Sequence, residues 1–430
     1  MRTLRPTGYK RFLRSPPLII GEVLALALAG VLGASLPQVD TAARETYTRF
    51  WGSGEWRGLG VGLGLDHVFQ SAWFLAVLLL ATASLVVVLL EQVRSLRAQV
   101  GRQLGEGHFR NAPFQATFER SSQGSCREPR TEIHSQGRLG RFGSPLFHFG
   151  LLLVILAGAL RALFGATAAV DLLEGERLPA TSSAWGAQWP GPLAAPFGLR
   201  VPLMLERVSP VTYPNGQLQD LQVGVLAEGP DGPRPAVLGI NRKTVFPGGR
   251  VFVDATFGPA ALLAWSGPRG TMAREAVLLS RGPGGDFTGS TTGPGGLQLS
   301  LRSGLGPAGT HPSRADARIH RGEALLFSGP IPREGSISLP GGFSLTLESL
   351  PYWVRLHGTR DPALILALAG FMVSLGGAFI LFTVIPVDTW VGITPEGTRE
   401  SVHVAMRPAR FTPLYREQFQ RLVHDLGGPS

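Results

Sequence analysis

Four long apolar blocks interrupt an otherwise mixed chain. They cover residues 17 to 36 (PLIIGEVLALALAGVLGASL), 71 to 90 (SAWFLAVLLLATASLVVVLL), 145 to 165 (PLFHFGLLLVILAGALRALFG) and 362 to 385 (PALILALAGFMVSLGGAFILFTVI). At a rise of about 1.5 Å per residue, a block of about 20 residues crosses a hydrocarbon core of roughly 30 Å. The pattern therefore predicts four transmembrane helices, over 17–36, 71–90, 144–166 and 361–386. Basic residues before the first block and small residues after it also suit a cleaved signal peptide. Its apolar stretch is longer than a signal core and three more spans follow, so it is read as a retained anchor.

Between the third and fourth blocks the period shortens. LRVPLMLERV, LQVGVLAE, RVFVD, LQLSLR and FSLTLE are brief, several alternate, and turn residues separate them. Such runs predict antiparallel strands, with one explicit hairpin in TVF, then Pro247, Gly248 and Gly249, then RVFV. The expected fold class is a membrane protein with four transmembrane α-helices plus a large extracytoplasmic all-β domain, sandwich or barrel-like, over 167–357. Two stretches, 281 to 296 and 303 to 315, are too poor in apolar residues to order themselves and are expected to be flexible insertions. The end of the tail, PLYREQFQRLVHDL, has the spacing of a short amphipathic helix, expected at the surface or the membrane edge.

Charge orients the spans. Arg2, Arg5, Lys10, Arg11 and Arg14 precede the first span with no acid, and residues 91 to 143 carry nine arginines against five acids. Residues 37 to 70 carry only Arg44, Arg49 and Arg57, against four acids. By the positive-inside rule the basic N-terminus (1–16), the 91–143 loop and the 387–430 tail are cytoplasmic, and the 37–70 loop and the β domain external. The expected location is the inner (plasma) membrane. The net charge of +10 comes mostly from the cytoplasmic pieces beside the spans, with no basic stripe interleaved with aromatics, so nucleic acid is not an expected partner. The single cysteine, Cys126, falls in a cytoplasmic loop, so the chain cannot itself be an external dithiol reductant.

His148, near the cytoplasmic end of the third span, is the most informative residue. An ionisable group at membrane depth is costly and is read first as a functional site. One imidazole nitrogen can hold a metal while the other is oriented by an acceptor, and haem, apolar over most of its faces, fits between helices. The plain alternative, a histidine hydrogen-bonded at a helix end, stays open on the residues alone. Arg161 is read as a snorkelling side chain, with a haem propionate contact as the lesser reading. Glu22 is read as an acid near a helix N-terminus. His67, in LDHVFQS at the outer edge of the second span, is either an outer haem contact or an ordinary interfacial histidine beside Trp73 and Phe74. His108, His134, His311, His320, His357, His403 and His424 show no metal spacing. Gly370, Ser374 and Ala378 recur every fourth residue and predict a close helix approach, inside the bundle or against a partner.

In order, these landmarks resemble the ResB family, also called CcsB, the membrane subunit of the System II machinery for c-type cytochrome maturation. The resemblance runs from GASLPQ and LGLDHVFQSAWF through FHFGLLLVILAGAL, PFGLRVPLMLERVSPVTYPNG and INRKTVFPGGRVFVDATFG to DPALILALAGFMVSLGGAFILF and DTWVGITPEG. It implies a chain that helps to move haem b across the membrane, keep its iron reduced and deliver it to apocytochrome c with a CcsA-type haem-binding partner. The family's transmembrane histidine maps onto His148, as an axial ligand to haem iron. Many relatives carry basic residues directly after the last span, where this chain has Val387, Asp388 and Thr389. WGAQWPGP, with Trp185 and Trp189, imitates the start of the partner family's tryptophan-rich motif without its following Trp-Asp, and is read as an external loop.

The alternative function is a structural membrane scaffold that stabilises the partner and binds apocytochrome without ligating haem. A solute transporter is disfavoured by the lack of internal repeats and discontinuous helices. No nucleophile and base pair stands out, so the chain is read as a non-catalytic subunit of a holocytochrome c synthase complex.

Overall fold

A computed structural model describes residues 8–39, 44–52, 56–100, 105–121, 128–213, 217–240, 242–267, 270–282, 285–306, 310–396 and 399–429. Arg2, Arg5 and Cys126 lie outside the described residues. Among these residues four helices are long and apolar enough to cross a membrane: α1 (Pro16–Ser35), α2 (Ala72–Val100), α3 (Gly140–Phe164) and α4 (Leu364–Thr383). The chain is a multi-pass membrane protein. It divides into two compact units, one holding Met1–Ala34, Ser71–Leu160 and Ala363–Ser430, the other Ser35–Gln70 and Arg161–Pro362.

In the first unit, α3 and α4 meet along a seam of small residues. Gly370, Ser374 and Gly377 are the buried positions of α4, so the seam follows Gly377 where the sequence spacing suggested Ala378. A Cβ on Gly150 would collide with the Ser374 amide nitrogen, and one on Gly377 with the Phe147 amide nitrogen. The Ser374 hydroxyl donates to the Phe147 carbonyl at 3.3 Å. Gly370 and Gly377 thus serve a contact within this chain. The wide faces of α4, with Ile365, Leu368, Phe371 and Phe379 exposed, suit hydrocarbon. Glu22 is near the N-terminal end of α1, as read, and is also partnered. It lies in the second turn of α1, buried, and accepts the Ser84 hydroxyl of α2 at 2.7 Å. That bond answers the roughly 3 kcal/mol that an unpartnered charge at membrane depth costs.

The same unit contains a sheet that the hydrophobic pattern did not reveal. Strands β1 (Phe114–Ser121), β2 (Arg130–Gln136), β3 (Val387–Glu396) and β4 (Arg399–Pro408) pair in the order β1-β4-β3-β2. The stretches read as a loop and a tail are therefore two halves of one antiparallel sheet. Its register sets Phe118 opposite Val402 and Ile133 opposite Trp390. On one face Phe118, Val402, Val404 and Met406 are buried beneath α5 (Arg416–Asp425), whose Phe419 and Val423 fill the gap. Phe419 stacks on Phe114 at 5.5 Å. The terminal helix is thus a surface helix whose apolar face covers this core.

The second unit is almost wholly antiparallel sheet. An eight-stranded sheet is centred on the long strand Gly249–Gly267, with a five-stranded and a four-stranded sheet beside it in sequence. The PGG hairpin forms, with Gly249 opposite Phe246 and Gly248 at φ +104°, a conformation open to glycine without steric cost. Trp265, Phe197 and Phe287 are among the fully buried anchors of its core.

The first of the two stretches expected to be flexible is corrected here, whereas the second is loop between its flanking strands, with 307–309 outside the described residues. Phe287–Gly293 is a strand, paired with Leu297–Ser303. Phe287, buried against Phe257 at 5.6 Å, anchors it, and the backbone ladder supplies the order its composition lacks. In the second stretch the Gly306 amide donates to the Tyr352 hydroxyl at 3.1 Å, that hydroxyl donates to the Thr310 carbonyl at 3.2 Å, and His311 bonds Glu174. WGAQWPGP is also more than a loop: Ala187–Pro190 is a strand, and Trp185 is buried edge-on to Phe197 at 4.8 Å.

Two outcomes are expected. Gly150→Ala and Gly377→Ala each force backbone apart and should destabilise the solubilised chain by about 1–3 kcal/mol. Gly21→Ala, which meets nothing within 4 Å, should leave the thermal midpoint unchanged; equal midpoints for all three would contradict the seam. Asp254 supplies the second. Burial pushes its carboxyl up, but the His357 hydrogen bond and charge, with the bonds to Thr256, outweigh this and hold it below its ordinary value. Its contribution is thus present above the unfolded value of about 3.9 and lost as pH falls through the folded one. Asp254→Asn should flatten the acid-side loss of thermal midpoint; an unaltered pH profile would refute the pairing.

Candidate functional site

His148 sits in the third turn of α3, which begins at Gly140 and carries Pro145 inside it. Proline has no N–H to give to the preceding turn, so the Arg141 carbonyl, four residues before it, loses its intrahelical donor. The Ser144 carbonyl lies 2.8 Å from His148 Nδ1. A carbonyl can only accept, so Nδ1 carries the proton and donates, and the lone pair is left on Nε2. Gln92 of α2 approaches the same Nδ1 at 3.3 Å, and because that nitrogen is a donor, the amide oxygen of Gln92 is the end that belongs beside it. The other polar end of this amide is buried without a partner among the described residues. Phe147 packs edge-on to the imidazole at 5.4 Å.

This is the arrangement in which a histidine binds a metal: one nitrogen fixed by a carbonyl, the other open. Among the described residues no group of three or more His, Cys, Asp or Glu side chains could hold a bare ion. A prosthetic group that brings its own ligands, as haem does, would need only one nitrogen from the chain. The buried orphan end of Gln92 adds a polar contact for whatever lies against the ring.

Asp388 fixes the helix end below His148. It accepts from both Ser135, at 2.7 Å, and Arg141 of α3, at 3.0 Å to each of its oxygens, and His108 lies 3.6 Å away. Asp388 is thus the clamp that ties β3 to β2, to the short helix Glu106–Phe109 and to the start of α3. Its only trace in the sequence is the alternation of VDTWVGIT, in which Asp388, Trp390 and Gly392 share one face. Gln92 left no sequence signal, because its partner is 56 residues away.

The other two sequence candidates belong to the second unit. His67 Nδ1 meets Asp66 at 2.6 Å, and the same carboxylate accepts the Tyr47 hydroxyl at 2.7 Å. Burial first, then the bond to Asp66 and its charge, push the Tyr47 phenol up to about 12. His67 is therefore an oriented imidazole whose Nε2 faces away from its acid. Arg161 is met by Asp361 at 3.6 Å and by the Arg360 carbonyl at 3.4 Å, so a propionate would have to compete with an acid already there. Tyr47 also lines a cavity of about 410 Å³ with Trp189, Asp171, Arg355 and His357. Arg355 is bound to Asp171 through two bonds, at 2.6 and 2.7 Å, and His357 is a strand residue held by Asp254 at 3.0 Å.

The family model described as ResB-like family matches residues 20–223. A protein named cytochrome c biogenesis protein CcsB from Gloeobacter violaceus is 33% identical over 177 residues, which is 36% of each chain. The match thus spans about a third of the length of such relatives, whereas two others run nearly end to end. Proteins of the same name from Synechococcus sp. strains CC9605 and CC9311 are each 25% identical, over 84% of both chains and over 93% of this chain and 90% of the relative. Over residues 20–223, a little under half of its length, the chain is thus similar to the ResB-like family, and relatives matched nearly end to end extend that similarity along the rest of it.

Proposed function

We propose that this protein is a haem-handling subunit of a cytochrome c maturation complex, with His148 as an axial ligand to haem iron. The observation that carries the reading is the open Nε2 of an imidazole whose Nδ1–H is committed to Ser144. The names of the relatives support the process, and the basic residues before α1 and between α2 and α3 support a cytoplasmic placement for the His148 end. In this orientation both termini are cytoplasmic and the larger β unit faces outward, where apocytochrome c and a CcsA-type membrane partner would meet it.

The chain's residues divide the work simply. Ser144 sets the tautomer and the ring angle of His148, Gln92 holds the imidazole from the neighbouring helix, and the α3–α4 seam keeps the ring at one depth. The apolar faces of α2 and α3 exclude water. Haem, when bound, would supply the redox centre, and His148 would hold it. Passage across the bilayer and release outward need groups from the partner, and the β unit braces that partner or guides the apocytochrome.

The full-length protein, purified with its partner, should carry a haem absorption band that falls at least tenfold in His148→Ala and returns with added imidazole. An unchanged band in that variant would remove His148 as the ligand. Haem-free wild-type complex, with cytochrome c lost only because the partner is degraded, would favour the scaffold function instead.

A further inference from the structure

The outer face of the four-stranded sheet, opposite the core under α5, holds a cavity of about 360 Å³ lined by Gly107, Phe109, Arg110, Gln115, Trp390 and His403, with Ala405 at its floor. It is built, not incidental. Phe109, Ala112, Trp390 and Ala405 form a small buried cluster of their own. Phe109 and Trp390 stack at 6.4 Å, inclined by 27°, and His403 stands edge-on to Trp390 at 5.1 Å. The rim is pinned twice. The Gln115 amide donates to the Phe109, Arg110 and Ala112 carbonyls at 3.4, 3.1 and 3.1 Å, and Arg407 donates to the His108 carbonyl at 2.8 Å.

One atom in this cluster is unexplained. Trp390 is 7% exposed, and its indole Nε1 is buried with no hydrogen-bond acceptor among the described residues. A buried donor left unmade costs the folded chain about 1–3 kcal/mol, and an indole N–H can do nothing but donate. Beside it Arg110 is exposed and makes no ion pair among the described residues, and His403 offers a further polar edge. Two or three donors and a cation around an aromatic, small-floored pocket select a planar ligand that ends in an oxyanion.

The cavity's place in the fold narrows the choice. The C-terminal end of α2, the start of α3 and the end of α4 all lead into this sheet, and His148 lies about 12 Å along α3 from that start, eight residues at about 1.5 Å each. Asp388, two residues before Trp390 on the same face, is the acid that holds Arg141 of α3. The sheet therefore adjoins the His148 end of the membrane unit.

We propose that the Trp390 cavity is an oxyanion site that takes a porphyrin carboxylate, receiving the macrocycle before it reaches His148. The inference rests on the haem-handling function above. Trp390 Nε1 and Arg110 grip the carboxylate, and Phe109 and the indole face support the ring edge.

Metal-free protoporphyrin IX tests this without iron and so without His148. Its binding to the full-length chain in detergent is followed by porphyrin fluorescence, with empty micelles subtracted and the dimethyl ester as the probe that lacks free carboxylates. Wild-type protein should bind the acid at least tenfold more tightly than the ester. Trp390→Phe keeps the ring and removes the N–H, and should weaken the acid about tenfold; Arg110→Gln, at an exposed position, should do likewise and decides the matter should the tryptophan variant fail to fold. His148→Ala should bind the free acid as wild type does, which separates this site from the iron ligand. Equal binding of acid and ester, or wild-type affinity in the variants, would overturn the proposal. Binding of inorganic phosphate or of anionic-lipid vesicles, lost on Arg110→Gln while protoporphyrin is ignored, would overturn it in favour of a phosphate or headgroup site.

Discussion

Where α3 crosses α4, Gly150, Gly370 and Gly377 leave no side chain between the two backbones, and Ser374 closes the gap with a hydrogen bond to Phe147. In a bilayer, lipid tails are as apolar as any leucine, so helices gain little from apolar burial and must hold together by close packing and polar contacts. This seam provides both, one residue away from His148. The imidazole inherits its depth from the seam, its tautomer from Ser144 and its lateral support from Gln92. A helix free to slide or rotate would carry the same histidine and offer no fixed ligand.

The polar groups of the membrane unit follow the same logic. Glu22 is matched by Ser84, and Arg14 at the end of α1 meets Glu91 of α2 at 2.7 Å. Asp388 is matched by Arg141, Ser135 and His108. Gln92 and Trp390 each hold a buried polar atom that makes no hydrogen bond among the described residues, as Trp185 does in the other unit.

Much of this was legible in the amino-acid order. Twenty apolar residues in a row leave a bilayer helix as the simple solution, and the turn-bounded alternation after the third span announced an antiparallel β region. The four-stranded sheet was hidden because its halves are about 270 residues apart, and no local signal tells FQATFERS that it pairs with RESVHVAMRP. Phe287 shows the opposite failure: a segment dominated by Gly, Ser and Thr is ordered by one buried ring and by its neighbours' backbone. His148 stood out from its leucines at once, whereas Gln92, Ser144 and Trp390 are ordinary residues until the fold brings their neighbours to them. Register and tertiary proximity, not composition, decide such sites.

The central claim is that His148 binds iron through Nε2 while Nδ1–H stays on the Ser144 carbonyl. Electron–nuclear double resonance on the ferric haem-loaded, full-length complex, with the histidines of this chain alone labelled with ¹⁵N, measures that bond directly. A strongly coupled ¹⁵N that persists in the His67→Ala variant and vanishes in His148→Ala is the result expected. A spectrum with no ¹⁵N coupling, or one unaltered by loss of His148, would contradict it.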